Sequence, residues 1–474
     1  MKSSLSFRIT SWAKEIKRES DMARLNFHQF YYQTKNEMFP LPVLEKVKLC
    51  ILDTIGAIIS GHSSKAGPAA ILFGKKTSSG HEATVLGTST RMSWPYAAFC
   101  NAILGSAWDI DDGSLLALGH PGAATLSAAL GAAQLTGSSG NDLLRSVLFG
   151  YEIALLTGSR LNAVPDKRFF GSGAWAAAGA AAAAGYLLGL DLESLVNAIG
   201  LAEAHAPVSP VDQSIEDGAM VKESLGWAAF TGVCACLLSA AGFGGITPRF
   251  HDRSFPALEE VDSFRILSIY FKKYTCCRWG HAALDGVLEL MDRDSIDASK
   301  IMEVTIGTHS KGMLLNGRNI NSPEKAQYSL PFCIAAALVD KEVGPKQVSP
   351  KRLNDPILTE IMNKVRLEVD PEIDAAFPKF NSARVSIRTA PDIEYNLFVK
   401  NAKGSEQNPL SHTDIIDKFL WITDGLLSRN QALSLVERIQ GIETVDNIKA
   451  IFDELTINEK IDDRGSRVPR EVLR

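Results

Sequence analysis

The sequence predicts a mainly α protein, a large all-helical domain joined to a smaller α+β domain. Three observations carry this. Long runs of small apolar residues recur at Ala123 to Gly137, Gly171 to Gly189 and Gly226 to Gly245, and small side chains let buried helices approach closely. Near residue 268 the texture changes: Met302 to His309 and Ala383 to Thr389 alternate apolar with polar residues as half-buried strands do. From Asn408 to Leu455 charged, amphipathic helical spacing returns. The expected organisation is a helical domain over 1–267, an α+β domain over 268–403 and a segment over 404–474 that rejoins the first.

Composition sets the class. A chain of 474 residues, 46% hydrophobic and 22% charged, is long and apolar enough to bury a large core. Its formal net charge of −5 is not the basic footprint of a general nucleic-acid binder. Small-molecule chemistry is the expectation. Seven cysteines, odd in number and without paired spacing, do not read as a disulfide framework. They point to a reducing compartment, the cytoplasm first and the mitochondrion as alternative. Residues 1–21 mix five cations with Glu15, Glu19 and Asp21, and no apolar run follows, so they read as a mobile helix rather than a targeting signal.

Along the chain, Leu44, Val47, Cys50, Ile51, Ile55 and Ile58 have the spacing of a buried helix that Gly61 closes. Gly67 to Gly80 reads as a polar loop and Ala83 to Leu86 as a short strand, after which Pro95 opens a helix from Tyr96 to Trp108. The uncharged run Gly171 to Gly189 is long enough to raise a membrane span. Its alanines and glycines give weak membrane hydropathy, and no basic or aromatic belt flanks it, so it reads as a core helix. Those glycines cost helix propensity, which close packing must offset. In the α+β block, helices are expected at Gln327 to Val339 and Pro356 to Lys364. Residues 458–474 lack apolar periodicity and read as a mobile tail.

The stretch from Trp108 to Gly122 places Asp109, Asp111, Asp112 and then His120 between two apolar segments. Charge held against a core needs partners or a chemical role. Pro121 followed by a helical run from Gly122 leaves backbone N–H groups that can bind an anion beside His120. Spacing alone fits both a site and a capped loop with a structural imidazole. Cations in apolar surroundings are scarcer. Lys222 stands just ahead of an uncharged helix, and Lys272 and Lys273 open the stretch Tyr274-Thr-Cys-Cys-Arg-Trp-Gly-His281 at the domain boundary, a favoured place for a ligand pocket. Cys277 and His281 have no second pair at ligand spacing, so no metal is expected, and the Cys276–Cys277 pair reads as packing.

Four segments, in order between about Pro42 and Thr389, resemble the MmgE/PrpD family. They are Asp109-Ile-Asp-Asp with Gly119-His-Pro, Gly218-Ala-Met-Val-Lys222, Lys272-Lys-Tyr-Thr-Cys-Cys-Arg with His281-Ala-Ala-Leu-Asp, and Ala326-Gln-Tyr-Ser-Leu-Pro-Phe. The resemblance implies a large helical domain, a smaller α+β lid domain, a homodimer, and neither metal nor organic cofactor. It implies a pocket between the domains in which His120, Asp109, Lys272 and Tyr328 are catalytic, with Asp109 orienting His120, while Lys222, Phe170 and His281 bind substrate. The implied activity is that of a lyase on a citrate-like or aconitate-like polycarboxylate, a dehydratase or decarboxylase of the 2-methylcitrate dehydratase type. Two positions depart from the family: Gly113 then Ser114 follow the aspartates, and Phe170 stands where relatives carry histidine. Phenylalanine moves no proton. It prompts two alternatives, an epimerase or isomerase of a dicarboxylate and a non-catalytic binding or dimerisation module.

Overall fold

The computed structural model describes residues 27–37, 39–162, 171–249, 264–452 and 455–457. The expected mobile ends, 1–21 and 458–474, and Phe170 lie outside the described residues. The protein is mainly helical with a smaller α+β part.

The helical part comprises α1 (Leu41–Gly61), α2 (Ala66–Thr77), α3 (Trp94–Ser106), α4 (Gly122–Thr136), α5 (Gly140–Asn162), α6 (Gly173–Leu187), α7 (Leu192–Ala204), α8 (Val211–Asp217) and α9 (Leu225–Ala240). Helix α6 lies at its centre and packs against α4, α5, α7 and α9. It has no charged residue, and all its residues except Ala174 are buried, as a helix apolar on every side must be. Its glycines are contact points: a Cβ on Gly179 would lie 2.6 Å from the Ala154 Cβ and 2.7 Å from the carbonyl oxygen of Gly150 on α5. No described helix is long and apolar enough to cross a membrane.

Helix α2 corrects the loop expected at Gly67 to Gly80. Pro68 sits in the first turn, where its missing N–H is not needed. Gly67 and Gly74 are places of close approach, to Leu104 and Met92, rather than breaks. The strand expected at Ala83 to Leu86 shortens to β1 (Ala83–Thr84), paired antiparallel with β2 (Arg91–Met92).

The α+β part holds α10 (His281–Arg293), β3 (Glu303–Thr308), α11 (Pro323–Gln327), α12 (Leu330–Asp340), α13 (Pro356–Asn363), β4 (Val365–Val369), α14 (Pro371–Ala376), β5 (Ala383–Ala390) and β6 (Ile393–Val399). The two expected strands are β3 and β5, antiparallel with Val304 opposite Ile387. Strands β4 and β6 complete the order β4–β3–β5–β6, with β4 parallel to β3. Neither was expected; on these edges apolar residues such as Ile393 and Phe398 are exposed, so the alternation separates inside from outside poorly. The helix expected from Gln327 is broken: α11 ends at Gln327, and α12 restarts at Leu330 with the Ser329 hydroxyl accepting from the Phe332 N–H. Tyr328 sits in the break.

Beyond the sheet, α15 (His412–Ile422) and α16 (Arg429–Gln440) pack on α1. Both start with a serine capping box. Described buried apolar residues form two main clusters, and Trp108 and Ile110 belong to the one dominated by the α+β part although they follow α3. The acidic stretch therefore runs along the seam between the two cores.

Helix propensity alone makes Gly179→Ala stabilising by roughly 1 kcal/mol. The close approach to α5 reverses the sign, because the new methyl meets backbone that cannot turn aside. A melting temperature below wild type by thermal denaturation is expected; a higher one contradicts the packing argument.

Candidate active site

A cavity of about 80 Å³ lies on this seam. One wall is the acidic stretch. It is pinned by Gly113, which exchanges both backbone hydrogen bonds with Tyr270 at 3.0 and 2.9 Å, and by a turn closed between Ser114 and Gly119. Asp109 opens the stretch in the left-handed region, φ 53°, a conformation that costs a non-glycine residue about 1 kcal/mol. That turn lets Lys272 Nζ reach two oxygens of one residue, Asp109 Oδ1 at 2.9 Å and its carbonyl oxygen at 3.0 Å. Lys272 is 1% exposed and lines the cavity.

His120 faces the same cavity. Its Nδ1 lies 2.7 Å from the carbonyl oxygen of Asp112. A carbonyl accepts and never donates, so Nδ1 carries the hydrogen and the neutral ring presents the Nε2 lone pair. Nε2 is 3.7 Å from Glu223 Oε1, and Nδ1 is 3.6 Å from Asp111 Oδ2. Glu223 lies between Lys222 and Ser224, both in the left-handed region at φ 45° and 60°. Hydroxyls of Ser209 and Ser214 donate to the Lys222 carbonyl at 2.8 and 2.9 Å and fix this turn. Glu223 Oε2 accepts from the backbone N–H and the hydroxyl of Ser172, whose oxygen accepts from the His120 N–H at 2.7 Å.

Burial and neighbouring charge sort the ionisable groups. Burial would push the Asp109 carboxyl up, but Lys272, Lys222 and His120 outweigh it and hold it below the usual range. Burial likewise opposes the charge on Lys272, yet Asp109 holds its pKa above that of a free lysine. Burial raises Asp111, and burial with Asp53 nearby pushes Asp112 up to about 7. Burial, then the carboxylates around the cavity, raise Tyr328 well above a free phenol, so it is a proton donor and not a base. Arg278 also lines the cavity, its guanidinium 4.8 Å from the Tyr270 ring centre.

Of the sequence-predicted residues, Asp109, His120, Lys272 and Tyr328 meet at this cavity. Asp109 pairs with Lys272, and the group that orients His120 is the Asp112 carbonyl, a correction to the expected Asp109–His120 pairing. The helix start expected to bind an anion is filled from within, since Asp112 Oδ1 accepts from the Gly122 N–H at 3.0 Å while Tyr151 donates to Oδ2 at 2.7 Å. Lys222 lies behind the wall, its Nζ 2.5 Å from Gln327 Oε1 and 5.7 Å from the Tyr328 ring centre. His281 is not brought to the cavity: it is fully buried, 3.2 Å from the Cys276 carbonyl and edge-on to Tyr274. Sequence reasoning missed Glu223 and Arg278. Their signals were position: Glu223 adjoins Lys222 ahead of an uncharged helix, and Arg278 lies inside the cation-rich stretch after Lys272. Among the described residues, no group of three or more histidine, cysteine or acidic side chains is arranged to hold a metal.

Two family models match, the MmgE/PrpD N-terminal domain over residues 26–254 and the MmgE/PrpD C-terminal domain over 274–441. The chain belongs to the MmgE/PrpD family. Its similar MmgE/PrpD relatives include the cis-aconitate decarboxylase of Mus musculus, 24% identical with 90% of this chain and 91% of the relative covered. The cis-aconitate decarboxylase of Homo sapiens is 25% identical, with 86% and 89% covered. That of Aspergillus terreus is 24% identical, with 88% and 92% covered. At the level of the MmgE/PrpD family these matches support an enzyme of the lyase class.

Asp112 gives a pH signature. Between about pH 4, where a free aspartate titrates, and about pH 7, the folded protein holds a proton that the unfolded chain has released. This group's contribution to stability therefore falls as pH rises through that window. Asp112→Asn is expected to make stability fall less across it, read by urea unfolding at a series of pH values; an unchanged profile contradicts the assignment. Lys272→Met leaves Asp109 charged and buried without its cation, at an expected cost of about 3–5 kcal/mol. Adding Asp109→Asn should recover much of that loss, whereas equal stability of the single and double variants counts against a coupled pair.

Proposed function

We propose that the protein is a lyase that removes carbon dioxide or water from a citrate-like or aconitate-like polycarboxylate. The observation that carries this reading is the His120 imidazole, turned by the Asp112 carbonyl to offer Nε2 to a cavity that the charged Lys272 also lines. The relatives' decarboxylation of cis-aconitate supports it.

In decarboxylation the bond from a carboxylate to its neighbouring carbon breaks, carbon dioxide leaves, and the electron pair spreads into a remaining conjugated carboxylate. A proton then goes to carbon. In dehydration a base takes a proton from the carbon beside a carboxylate, and hydroxide departs from the next carbon with a proton from an acid. Both routes place extra negative charge on a carboxylate, which a desolvated cation stabilises far better than water does. Lys272 is that cation. His120 moves the proton at Nε2, taking it when neutral and giving it when charged, and the neutral Tyr328 phenol is the second donor.

A second reading, epimerisation of a dicarboxylate, is favoured by Glu223, which puts another proton acceptor 3.7 Å from His120 Nε2. The proposed assembly is a homodimer. Trp227, Leu237 and Leu238 on α9, with Phe243 and Ile246 just after it, are exposed apolar residues that support an interface there.

The test is purified protein incubated with cis-aconitate, citrate, 2-methylcitrate and iminodisuccinate, with products read by mass spectrometry. Loss of carbon dioxide or water from one of the first three is expected. Solvent deuterium entering recovered acid with nothing lost favours epimerisation, and no conversion of any acid overturns both readings. His120→Asn keeps a donor for the Asp112 carbonyl, and it is expected to lower kcat at least 100-fold with little change in melting temperature; wild-type turnover removes His120 from the mechanism.

A further inference from the structure

We infer that Arg278 is a substrate-binding residue that anchors a carboxylate of the acid away from the carbon where bonds change, and so makes the enzyme select for a further carboxylate. This rests on the proposed reading of the cavity as a polycarboxylate site and adds to it which side chain recognises the additional acid group.

Arg278 is 7% exposed and lines the cavity. Its Nε and Nη1 are buried and, among the described residues, have no hydrogen-bond partner. A guanidinium is the side chain least able to shed its charge, so burying one with open donors costs several kcal/mol unless an anion completes it. Its surroundings hold it in place without using those donors. The guanidinium lies against the Tyr270 ring at 4.8 Å, and the Arg278 carbonyl accepts from Asn381 Nδ2 at 3.3 Å. Asn381 is in turn held by His309 Nε2, 3.1 Å from its Oδ1. Burial lowers the pKa of Arg278, and the nearby Tyr270 and Asp285, neither in a salt bridge with it, offset this only in part.

The other cations are already matched. Lys272 has Asp109 at 2.9 Å, so its charge is half of a pair. Lys222 lies outside the cavity wall on Gln327. Among the described residues that line the cavity, Arg278 is the cation whose charge the protein leaves unanswered. Its planar N–H fork matches the two oxygens of a carboxylate, and it does not titrate in the working range, which suits binding rather than proton transfer.

The experiment uses propane-1,2,3-tricarboxylate, which has neither hydroxyl nor double bond and is not turned over, and methylsuccinate, the same acid with one terminal carboxylate replaced by hydrogen. Isothermal titration compares wild type, Arg278→Gln and Arg278→Lys. Wild type is expected to prefer the triacid, and Arg278→Gln to weaken triacid binding roughly 10- to 100-fold while changing methylsuccinate binding little. Arg278→Lys should recover part of the loss. The Gln variant should melt no lower than wild type, because it removes a buried charge that has no salt bridge among the described residues; a merely structural arginine would lower the melting temperature and weaken both acids equally. If wild type binds the triacid and Arg278→Gln binds it as tightly, the assignment of Arg278 is overturned while the polycarboxylate reading stands. If wild type binds neither acid, the reading of the cavity itself fails.

Discussion

The buried pair of Lys272 and Asp109 is the contact on which the site depends. A lysine at 1% exposure keeps its charge only where a carboxylate stays ionised beside it, and Asp109 can stay ionised only because cations surround it. The pair also spans the seam. Asp109 follows α3 of the helical part, while Lys272 follows the Tyr270 bridge and leads into the α+β part. One electrostatic contact thus aligns two cores, and the left-handed backbone at Asp109 is the local strain that lets a single residue offer two oxygens to one ammonium.

Around that pair the protein separates charge from hydrogen bonding. Asp112 is a structural acid: its side chain closes the start of α4 and takes the Tyr151 hydroxyl, while its main-chain oxygen sets the tautomer of His120. Farther back, Asp53 on α1 meets Lys418 of α15 at 2.5 Å, and the same ammonium takes the Ile110 carbonyl at 2.7 Å. The tail helices therefore brace the acidic stretch from behind. The carboxyls at 109, 111 and 112 are all buried yet shift in different directions: burial raises Asp111 and, with Asp53 nearby, Asp112, whereas Lys272, Lys222 and His120 outweigh burial at Asp109.

Much of the fold was legible because its signals are local. The uncharged runs that became α4 and α6 are buried almost throughout and that of α9 buries one face, and the alternation at β3 and β5 separates a core face from a wet one. Where the reading missed, a residue's meaning depended on what packed against it. Pro68 and the glycines of α2 looked like breaks until Leu104 and Met92 came against them. Edge strands β4 and β6 leave apolar residues exposed, which blurs their period.

For the site, the sequence by itself determined the inventory: an acidic stretch ending in His120, scarce cations in apolar surroundings, and a family resemblance that brought His120, Asp109, Lys272 and Tyr328 forward. Only the tertiary structure decided who pairs with whom. It gave Asp109 to Lys272 and the Asp112 carbonyl to His120, withdrew Lys222 behind the wall, buried His281 beside Tyr274, and brought Glu223 and Arg278 forward. The physical reason is distance along the chain. Residues 109 and 272 are 163 positions apart, and a hydrogen bond a few ångströms long between them is set by how the two cores pack along the seam, which no local periodicity encodes.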